Sequence, residues 1–397
     1  MRERVPAGGG VRDVVLRART APPGIAHGHP WVWREAVAKG LEGARAGEIV
    51  QVLSGDGTPV GRGLVDPSSP IAVRLWTRGR SPLDAALWEK RAQSAVALRA
   101  RLFHSGNTDA YRVVHGEGDR MPGFVVDRYG PVAVVRTDGD AAAARVADLV
   151  RALAPALGAA TIVHRTSAKG EAPQLVTLHG DAPPATLVVR EHGMAFVVDL
   201  ARGQKTGAFL DQRENRRRVR EMARGRRVLN LFSYAGGFSM AAALGGATHV
   251  TSVDVAAAAH ATAQASFRAA GLDPSAHAFV TADAFAFLDG ARARRETWDL
   301  VVSDPPSFAP NEKAVPRALS AYRKLHAACA AVLAPGGTFC AASCSSHVSA
   351  EPFLSTLDDA ALGRDDLRLL ALHGPGPDHP TLPAFPEGRY LKFAVLS

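Results

Sequence analysis

The stretch Val228–Asp254, VLNLFSYAGGFSMAAALGGATHVTSVD, decides the fold of the largest part of this chain. Val228 to Phe232 is an apolar run typical of a buried strand, and Ser233 to Gly237 is a glycine turn that can open a helix. A second apolar run, His249 to Val253, ends at Asp254. A strand, a glycine turn, a helix and a strand that ends in an acidic residue are typical of folds that bind an adenosine-containing cofactor, with the carboxylate on the ribose hydroxyls.

The glycine turn by itself leaves the cofactor open. NLFSYAGGFS lacks the G-x-G-x-x-G pattern that holds a pyrophosphate, so NAD, S-adenosylmethionine and a purely structural turn are all compatible with it. Gly236 and Gly237 are expected to let the backbone approach a ligand closely. Two more acidic residues, Asp283 in TADAF and Asp304 in VVSDPPSF, close apolar runs. Three carboxylates at one crevice would repel a diphosphate but not the sulfonium of S-adenosylmethionine, which is therefore the predicted cofactor.

The composition indicates a soluble globular protein. The chain has 397 residues, 47% of them hydrophobic, and is long enough for about two or three domains. No apolar run approaches the roughly 18 residues of a membrane span, and the N-terminus, MRERVPAGGG, carries no secretory signal. The three cysteines, Cys329, Cys340 and Cys344, form no C-x-x-C pair. We therefore expect a cytoplasmic protein without a disulfide framework, a metal site or a membrane anchor.

The net charge of +9 and the pI near 9.9 favour a polyanionic partner. The basic residues are concentrated in Arg213 to Arg220 (RENRRRVR) and in Arg224, Arg226, Arg227, Arg292, Arg294 and Arg295. Such a run is also typical of a solvated helix face. Together with the charge of the whole chain, it favours nucleic acid over a small acidic substrate.

The pattern along the chain predicts three domains after a flexible tail at residues 1–10. Residues 11–78 read as short strands of a small β-barrel, and residues 79–200 as a mixed α+β unit. Residues 201–397 alternate strands and helices, which predicts an α/β fold with a doubly wound, mostly parallel sheet. Ala208 to Asp211 is expected to be a strand that leads into the basic helix. Trp31 and Trp33 are candidates for stacking on bases, or anchors in a core or domain interface.

The stretch Thr338–Ser346, TFCAASCSS, reads as a strand that ends in Cys344. Cys329 and Cys340 are expected to be core residues, whereas Cys344 falls at a strand end, opposite Asp304. A thiolate that adds to carbon 6 of a pyrimidine makes carbon 5 nucleophilic, and an acid near N3 stabilises the developing charge. In the alternative interpretation the DPPSF loop holds an exocyclic amino group, and no cysteine is needed. Phe308 would stack on the base in either chemistry, or serve only in packing.

These motifs resemble the RlmI type of bacterial 23S rRNA 5-methylcytosine methyltransferase. The similarity rests on NLFSYAGGFS, SVD, DPPSF, SCSS and DHPTLPAFPEGRYLK, and it extends to HGHPWVWREAV, GEGDRMPGFVVDRYG and GQKTGAFLDQRENR, so that it covers nearly the whole chain. The resemblance implies an N-terminal PUA domain, a central EEHEE-type domain and a C-terminal class I (Rossmann-like) methyltransferase domain. It further implies that Asp254 holds the ribose, that Asp283 contacts the adenine side, and that Cys344 is the catalytic thiol with Asp304 beside it.

The resemblance also implies cofactor contacts for Gln212 and the turn Phe232 to Gly236, and the DPPSF loop supplies the substrate side. The expected cofactor contacts are Gln212, Phe232, Ser233, Tyr234, Ala235, Gly236, Asp254, Asp283 and Asp304, and the expected substrate contacts are Pro305, Pro306 and Phe308. Ala235 stands where the family often has threonine, and Ser307 where lysine is frequent. Large-subunit ribosomal RNA is the expected partner, and a homodimer is left open. An exocyclic-amine methyltransferase and an RNA-binding or ribosome assembly factor that keeps cofactor binding are the alternative functions.

Overall fold

The computed structural model describes residues 11–166 and 173–397. The predicted tail at residues 1–10 lies outside the described residues. The chain forms two compact units, the first made of Met1–His104, Arg112–Pro183 and Asp378–Pro386, the second of Ser105–Tyr111, Pro184–Pro377 and Glu387–Ser397. Within the described ranges, no helix is both long and apolar enough to cross a membrane.

The first unit opens with a mixed six-stranded sheet in the order β2-β6-β5-β4-β1-β3. Its strands are β1 (Arg12–Leu16), β2 (Trp31–Trp33), β3 (Val37–Lys39), β4 (Ile49–Leu53), β5 (Pro59–Val65) and β6 (Ile71–Leu75), with helix α1 (Pro23–His27) before β2. Val14, Val50 and Val73 are fully buried in its core. Short valine-rich strands separated by frequent turns explain this mainly β module, and the β-rich fold expected for this part of the chain is confirmed.

A five-stranded sheet in the order β11-β10-β9-β8-β7 follows. Its strands and helices are α2 (Ala85–Leu102), β7 (Ala110–His115), β8 (Phe124–Tyr129), β9 (Val132–Thr137), α3 (Asp140–Ala143), α4 (Val146–Leu157), β10 (Thr161–Thr166) and β11 (Gln174–His179). Asp84 caps α2, because its carboxylate accepts a hydrogen bond of 3.0 Å from the N–H of Leu87.

The segment Asp378–Pro386 belongs to the first unit although it lies near the end of the chain. The N–H of Arg112 donates to the Asp378 carboxylate at 2.9 Å, and this carboxylate is fully buried. The ring of Phe385 packs edge-on against Trp31, with 4.9 Å between ring centroids. The indole N–H of Trp31 donates to Glu117 at 2.7 Å, so Trp31 is a packing anchor within this unit.

The second unit contains a hairpin and a seven-stranded sheet in the order β16-β15-β14-β17-β18-β20-β19. The hairpin strands are β12 (Thr186–Glu191) and β13 (Met194–Asp199). The sheet strands are β14 (Arg227–Leu231), β15 (His249–Asp254), β16 (Ala278–Thr281), β17 (Trp298–Ser303), β18 (Leu333–Ser343), β19 (Leu369–His373) and β20 (Lys392–Leu396). β14 to β18 are parallel, and only β20 runs antiparallel to β18 and β19, so the predicted doubly wound fold is confirmed.

Helices cover both faces of this sheet. They are α5 (Arg213–Met222), α6 (Gly237–Leu244), α7 (Ala257–Ala269), α8 (Ala284–Ala293), α9 (Val315–Ala331), α10 (Ala350–Leu354) and α11 (Asp359–Leu362). Helices α5, α6 and α7 share one buried cluster with β14, and α8 to α11 share the other. Burial on both faces explains why the central strands are nearly continuous apolar runs.

The predicted strand at Ala208 to Asp211 is wrong. The chain bends there, and a single 3₁₀ turn, Leu210–Gln212, leads directly into α5. Only Leu210 of the short apolar run is buried, and Asp211 accepts a hydrogen bond of 2.8 Å from the Tyr390 hydroxyl instead of pairing in a sheet. Three apolar residues are too few for the period of two to decide between a strand and a turn.

Candidate active site at the carboxyl edge of the sheet

The parallel strands bring the predicted site residues to one edge of the seven-stranded sheet. Phe232 follows β14, Asp254 ends β15, Asp304 follows β17 and Cys344 follows β18. The strand register places Phe232, Asp254 and Asp304 level with one another, and Cys344 two residues further along. Because ligands of open α/β sheets bind beyond the carboxyl ends of the strands, this edge is the candidate site.

The turn after β14 has an unusual backbone. Phe232 has φ of 56° and Tyr234 has φ of 45°, both in the left-handed region that side chains disfavour. Each such residue costs on the order of 1–3 kcal/mol and persists only where the surroundings hold it. Asp254 does so, because its carboxylate accepts the N–H of Tyr234 at 2.8 Å and that of Ala256 at 2.9 Å. The strained turn is therefore fixed to the end of β15.

Packing against neighbouring helices requires glycine at both positions of this turn, which the sequence did not indicate. A Cβ on Gly236 would lie 2.7 Å from Cβ of Ala263 on α7, and one on Gly237 would lie 3.0 Å from Cδ of Arg216 on α5. Gly236 also has φ of 76°. The glycines thus let α6 begin against its neighbours in the fold, whatever they do for a ligand.

The surface beside this turn fits an adenosine-containing cofactor. The Asp254 carboxylate is only partly buried and keeps acceptor capacity for a ribose diol beyond its two backbone hydrogen bonds. Val255 follows it and is 69% exposed, an apolar surface next to an acidic group. The Ser233 hydroxyl is buried and has no hydrogen-bond partner among the described residues. Sequence reasoning missed Val255, for which the signal was its position directly after the strand-end acid.

Asp283 lies at the same edge, after β16, and has a structural role of its own. Its carboxylate accepts the N–H of Ala286 at 3.0 Å and so caps α8. The residue is exposed. If Asp283 contacts the adenine side of the cofactor, its carboxylate does so while it also caps α8.

The Asp304 carboxyl is electrostatically perturbed. Burial and the negative charge of Asp211 raise its pKa to about 7, against the opposing effects of a hydrogen bond from Gln212 and the charge of Lys205. Gln212 is buried, and its side-chain oxygen accepts from Asn215 at 2.6 Å, which orients the amide. Asp304 is therefore poised between its protonated and ionised forms near neutral pH.

Lys205 and Asp211 form a charged pair near Asp304 to which sequence reasoning gave no role. Lys205 Nζ lies 3.5 Å from the Asp211 carboxylate and 4.6 Å from the centroid of the Phe209 ring. The Tyr390 hydroxyl donates to Asp211 at 2.8 Å. Because these residues come from a loop and from the segment before β20, no local motif brings them together.

Cys344 differs from the other two cysteines. Cys329 and Cys340 are fully buried, and burial raises the pKa of each thiol to about 12, as expected for core residues. Cys344 is partly exposed. Burial raises the pKa of its thiol, and the charge of Asp304 raises it further, whereas Lys205 lowers it. A resting Cys344 is therefore a thiol that needs a positive charge nearby to react as a thiolate.

The loop after β17 is held to the protein at both ends. Pro305 is buried and Pro306 is exposed. The Phe308 ring packs against Tyr322 on α9, with 4.9 Å between centroids. Phe308 therefore has a packing role, which was one of the two interpretations of this residue. Pro306 lies at the surface.

Known proteins match this architecture. Residues 142–381 match the family described as S-adenosylmethionine-dependent methyltransferase, and residues 15–78 match a PUA-like domain. The chain belongs to this methyltransferase family. The class I fold, the cofactor S-adenosylmethionine and the family resemblance expected from the sequence are confirmed.

The methyltransferase has relatives that align over almost its full length. It is 39% identical over 408 residues to the ribosomal RNA large subunit methyltransferase of Deinococcus radiodurans, covering 98% of both chains. It is 36% identical over 373 residues to the ribosomal RNA large subunit methyltransferase I of Klebsiella pneumoniae, covering 92% of this chain and 93% of that one. The solved structure of SMU.776, a methyltransferase complexed with SAH, has a TM-score of 0.86 at 25% identity, covering 97% and 100% of the two chains.

Helix α5 buries some arginines of the basic run and exposes others. Arg213 and Arg216 are buried, and Arg216 forms an ion pair of 2.7 Å with Glu191 at the end of β12. Arg217 is exposed, and Arg218 is partly so. Positions three apart share a helix face, so part of the basic run holds the hairpin against α5 and only the outer part is available to a polyanion.

Proposed function

We propose that the protein transfers a methyl group from S-adenosylmethionine to carbon 5 of a cytosine in large-subunit ribosomal RNA. The observation that carries this proposal is the partly exposed Cys344 at the end of β18, next to an Asp304 carboxyl whose pKa is near 7. An exocyclic-amine transfer would need no thiol at this place. The names of the relatives, large-subunit ribosomal RNA methyltransferases, support the substrate class.

The chemistry needs a nucleophile and an acid on the base. Cys344 Sγ attacks carbon 6, and the electron pair of the broken double bond becomes available at carbon 5 while Asp304 gives a proton to N3. S-adenosylmethionine, when bound, supplies the electrophilic methyl group. Loss of the proton on carbon 5 to a base and elimination of the sulfur restore the aromatic ring, the thiolate and the Asp304 carboxyl.

Asp304 suits this role because its pKa is raised. An ordinary aspartate is ionised at pH 7 and accepts hydrogen bonds, but cytosine N3 is itself an acceptor and needs a donor. Burial and the charge of Asp211 keep a substantial fraction of Asp304 protonated at this pH. The Gln212 amide, which hydrogen-bonds Asp304, holds the carboxyl in place.

The remaining site roles are part of the same proposal. The cofactor contacts are assigned to Gln212, the turn Phe232, Ser233, Tyr234, Ala235 and Gly236, and the acids Asp254, Asp283 and Asp304, with Val255 added from the structure. Pro305, Pro306 and Phe308 are assigned to the substrate side. Exposed arginines such as Arg217, Arg224 and Arg292 supply contacts to RNA phosphates.

Nucleoside mass spectrometry tests the reaction. Unmodified ribosomal RNA and unmodified large subunits are incubated with S-adenosylmethionine and wild type, Cys344→Ala or Cys340→Ala. We expect 5-methylcytidine from wild type and from Cys340→Ala, the matched control whose thiol is fully buried, and none from Cys344→Ala. An N-methylated base from both wild type and Cys344→Ala would instead show the amine chemistry. No product from any protein would favour the binding-factor function.

A further inference from the structure

Lys392, the first residue of β20, is a buried lysine next to the candidate nucleophile. It is 4% exposed, and it pairs across the sheet with Ser343, the residue before Cys344. Its ammonium donates to the carbonyls of Ser345 at 2.5 Å, Val348 at 2.6 Å and Tyr390 at 2.7 Å. Two of these three carbonyls belong to the loop that carries the chain away from Cys344.

The Lys392 ammonium is stabilised only by backbone carbonyl dipoles among the described residues. No carboxylate among the described residues forms an ion pair with Lys392, and its three N–H groups are all used on carbonyls. A buried ammonium without a counter-ion is costly, so the site gains when a negative charge forms nearby. Burial lowers the pKa of Lys392 to about 8, and the charge of Cys344 acts in the opposite direction.

The opposite side of the same loop is held by a neutral group. The Tyr322 hydroxyl on α9 donates to Ser343 Oγ at 2.9 Å, and the Ser345 hydroxyl donates to the carbonyl of Ala309 at 3.3 Å. Cys344 is thus held between a neutral anchor from α9 and a charged anchor from β20. Changing Tyr322 therefore tests the position of Cys344 alone, whereas changing Lys392 tests position and charge together.

We propose that Lys392 is a positioning residue for Cys344, which fixes the nucleophile loop and adds to Lys205 a second positive charge that stabilises the thiolate. The inference rests on the proposed role of Cys344. The thiol proton leaves to solvent, and Lys392 stays protonated beside the thiolate because the negative charge of Cys344 raises the lysine pKa. The other charged groups that act on Cys344 are Asp304, Asp211 and Lys205. Tyr322 is neutral in this pH range, because burial raises its pKa to about 12.

The pH dependence of Cys344 alkylation by iodoacetamide, followed by peptide mass spectrometry, tests this inference. Lys392→Met keeps the length of the side chain and removes its charge. We expect the midpoint of the profile to rise by about one pH unit, so that alkylation at pH 7.5 slows about tenfold. Tyr322→Phe removes the neutral anchor and should leave the midpoint unchanged while lowering kcat. Binding of S-adenosylhomocysteine by calorimetry confirms that each variant is folded.

An unchanged alkylation midpoint in folded Lys392→Met would overturn the inference. If Lys392→Met does not fold, the electrostatic coupling between Lys392 and Cys344 is measured by changing Cys344 instead. The pKa of Lys392, followed by NMR of its ε carbon, should then be lower in Cys344→Ser than in wild type by about half a unit, and equal values would overturn the inference. Both measurements follow ionisation and not methyl transfer, so they remain decisive even if Cys344→Ala proves active on RNA.

Discussion

The two sides of the candidate site are built in different ways. On the cofactor side, the turn after β14 is shaped by backbone, with Phe232 and Tyr234 in the left-handed region and Gly236 packed against α7. On the base side, the loops after β17 and β18 are held by the buried side chains of Tyr322 and Lys392. The first side depends on what a short stretch of sequence permits, and the second on residues brought in from distant elements.

This difference predicts different sensitivities. A Cβ added on the cofactor side should damage the fold, because the backbone has no room for it. A side chain changed on the base side should leave the fold largely in place and alter ionisation or position at Cys344 or Asp304. The following three experiments distinguish the cofactor side, which is shaped by backbone, from the base side, which is held by side chains.

The largest effect is expected for Gly236→Ala. The new Cβ would stand 2.7 Å from that of Ala263, at a left-handed φ of 76°. Gly271→Ala is the matched control, since Gly271 has the same φ of 76° and nothing within 4 Å of the added atom. Urea unfolding should show a loss of about 1–2 kcal/mol for Gly271→Ala and about 2–5 kcal/mol for Gly236→Ala. Equal losses would mean that packing against α7 does not constrain the turn.

A smaller effect is expected for Asp254→Ala, measured as S-adenosylhomocysteine affinity by calorimetry. Loss of the carboxylate removes the proposed ribose contact and leaves the Tyr234 N–H without its acceptor, so binding should weaken by about 1–3 kcal/mol. Asp273→Ala removes another carboxylate that caps a short turn, at an exposed position, and should bind as wild type does. Wild-type affinity in Asp254→Ala would place the cofactor elsewhere.

The smallest effect concerns the pH dependence of stability through Asp304. The pKa of this carboxyl is about 7 in the folded protein against 3.8 as its ordinary value, so the unfolded chain loses the proton first. The wild-type free energy of unfolding should therefore fall as pH rises through this window, relative to Asp304→Asn, which does not titrate. Between pH 5 and pH 7 we expect Asp304→Asn to gain about 1–2 kcal/mol on wild type in urea unfolding. A constant difference would show that the carboxyl is not perturbed.

The sequence predicted what local patterns encode. The strand, turn, helix and acid of Val228–Asp254 define the sheet and its ligand edge, and Asp304 and Cys344 follow their strands at that edge as expected. These predictions succeed because parallel strands place their carboxyl ends together whatever the connecting helices contain.

The sequence did not predict what depends on distant contacts. In the sequence Lys392 is only the last residue of DHPTLPAFPEGRYLK, and no role was expected for it. Only the register of β20 against β18 brings it to the Cys344 loop. The arginines of α5 read as one basic surface, but Arg216 turns inward to Glu191, which lies 25 positions earlier in the chain. The short apolar run at Ala208 to Asp211 read as a strand and is a turn.

The segment Asp378–Pro386 has a consequence for how the protein is made. It completes the buried surroundings of Arg112 and Trp31 in the first unit, yet it lies between β19 and β20 of the second. During synthesis the emerging chain therefore lacks a piece of its N-terminal unit until translation has passed Pro386. The usual order, in which the first domain matures while the next is still being translated, does not hold here. The first unit therefore reaches its final form only after most of the second unit has been translated.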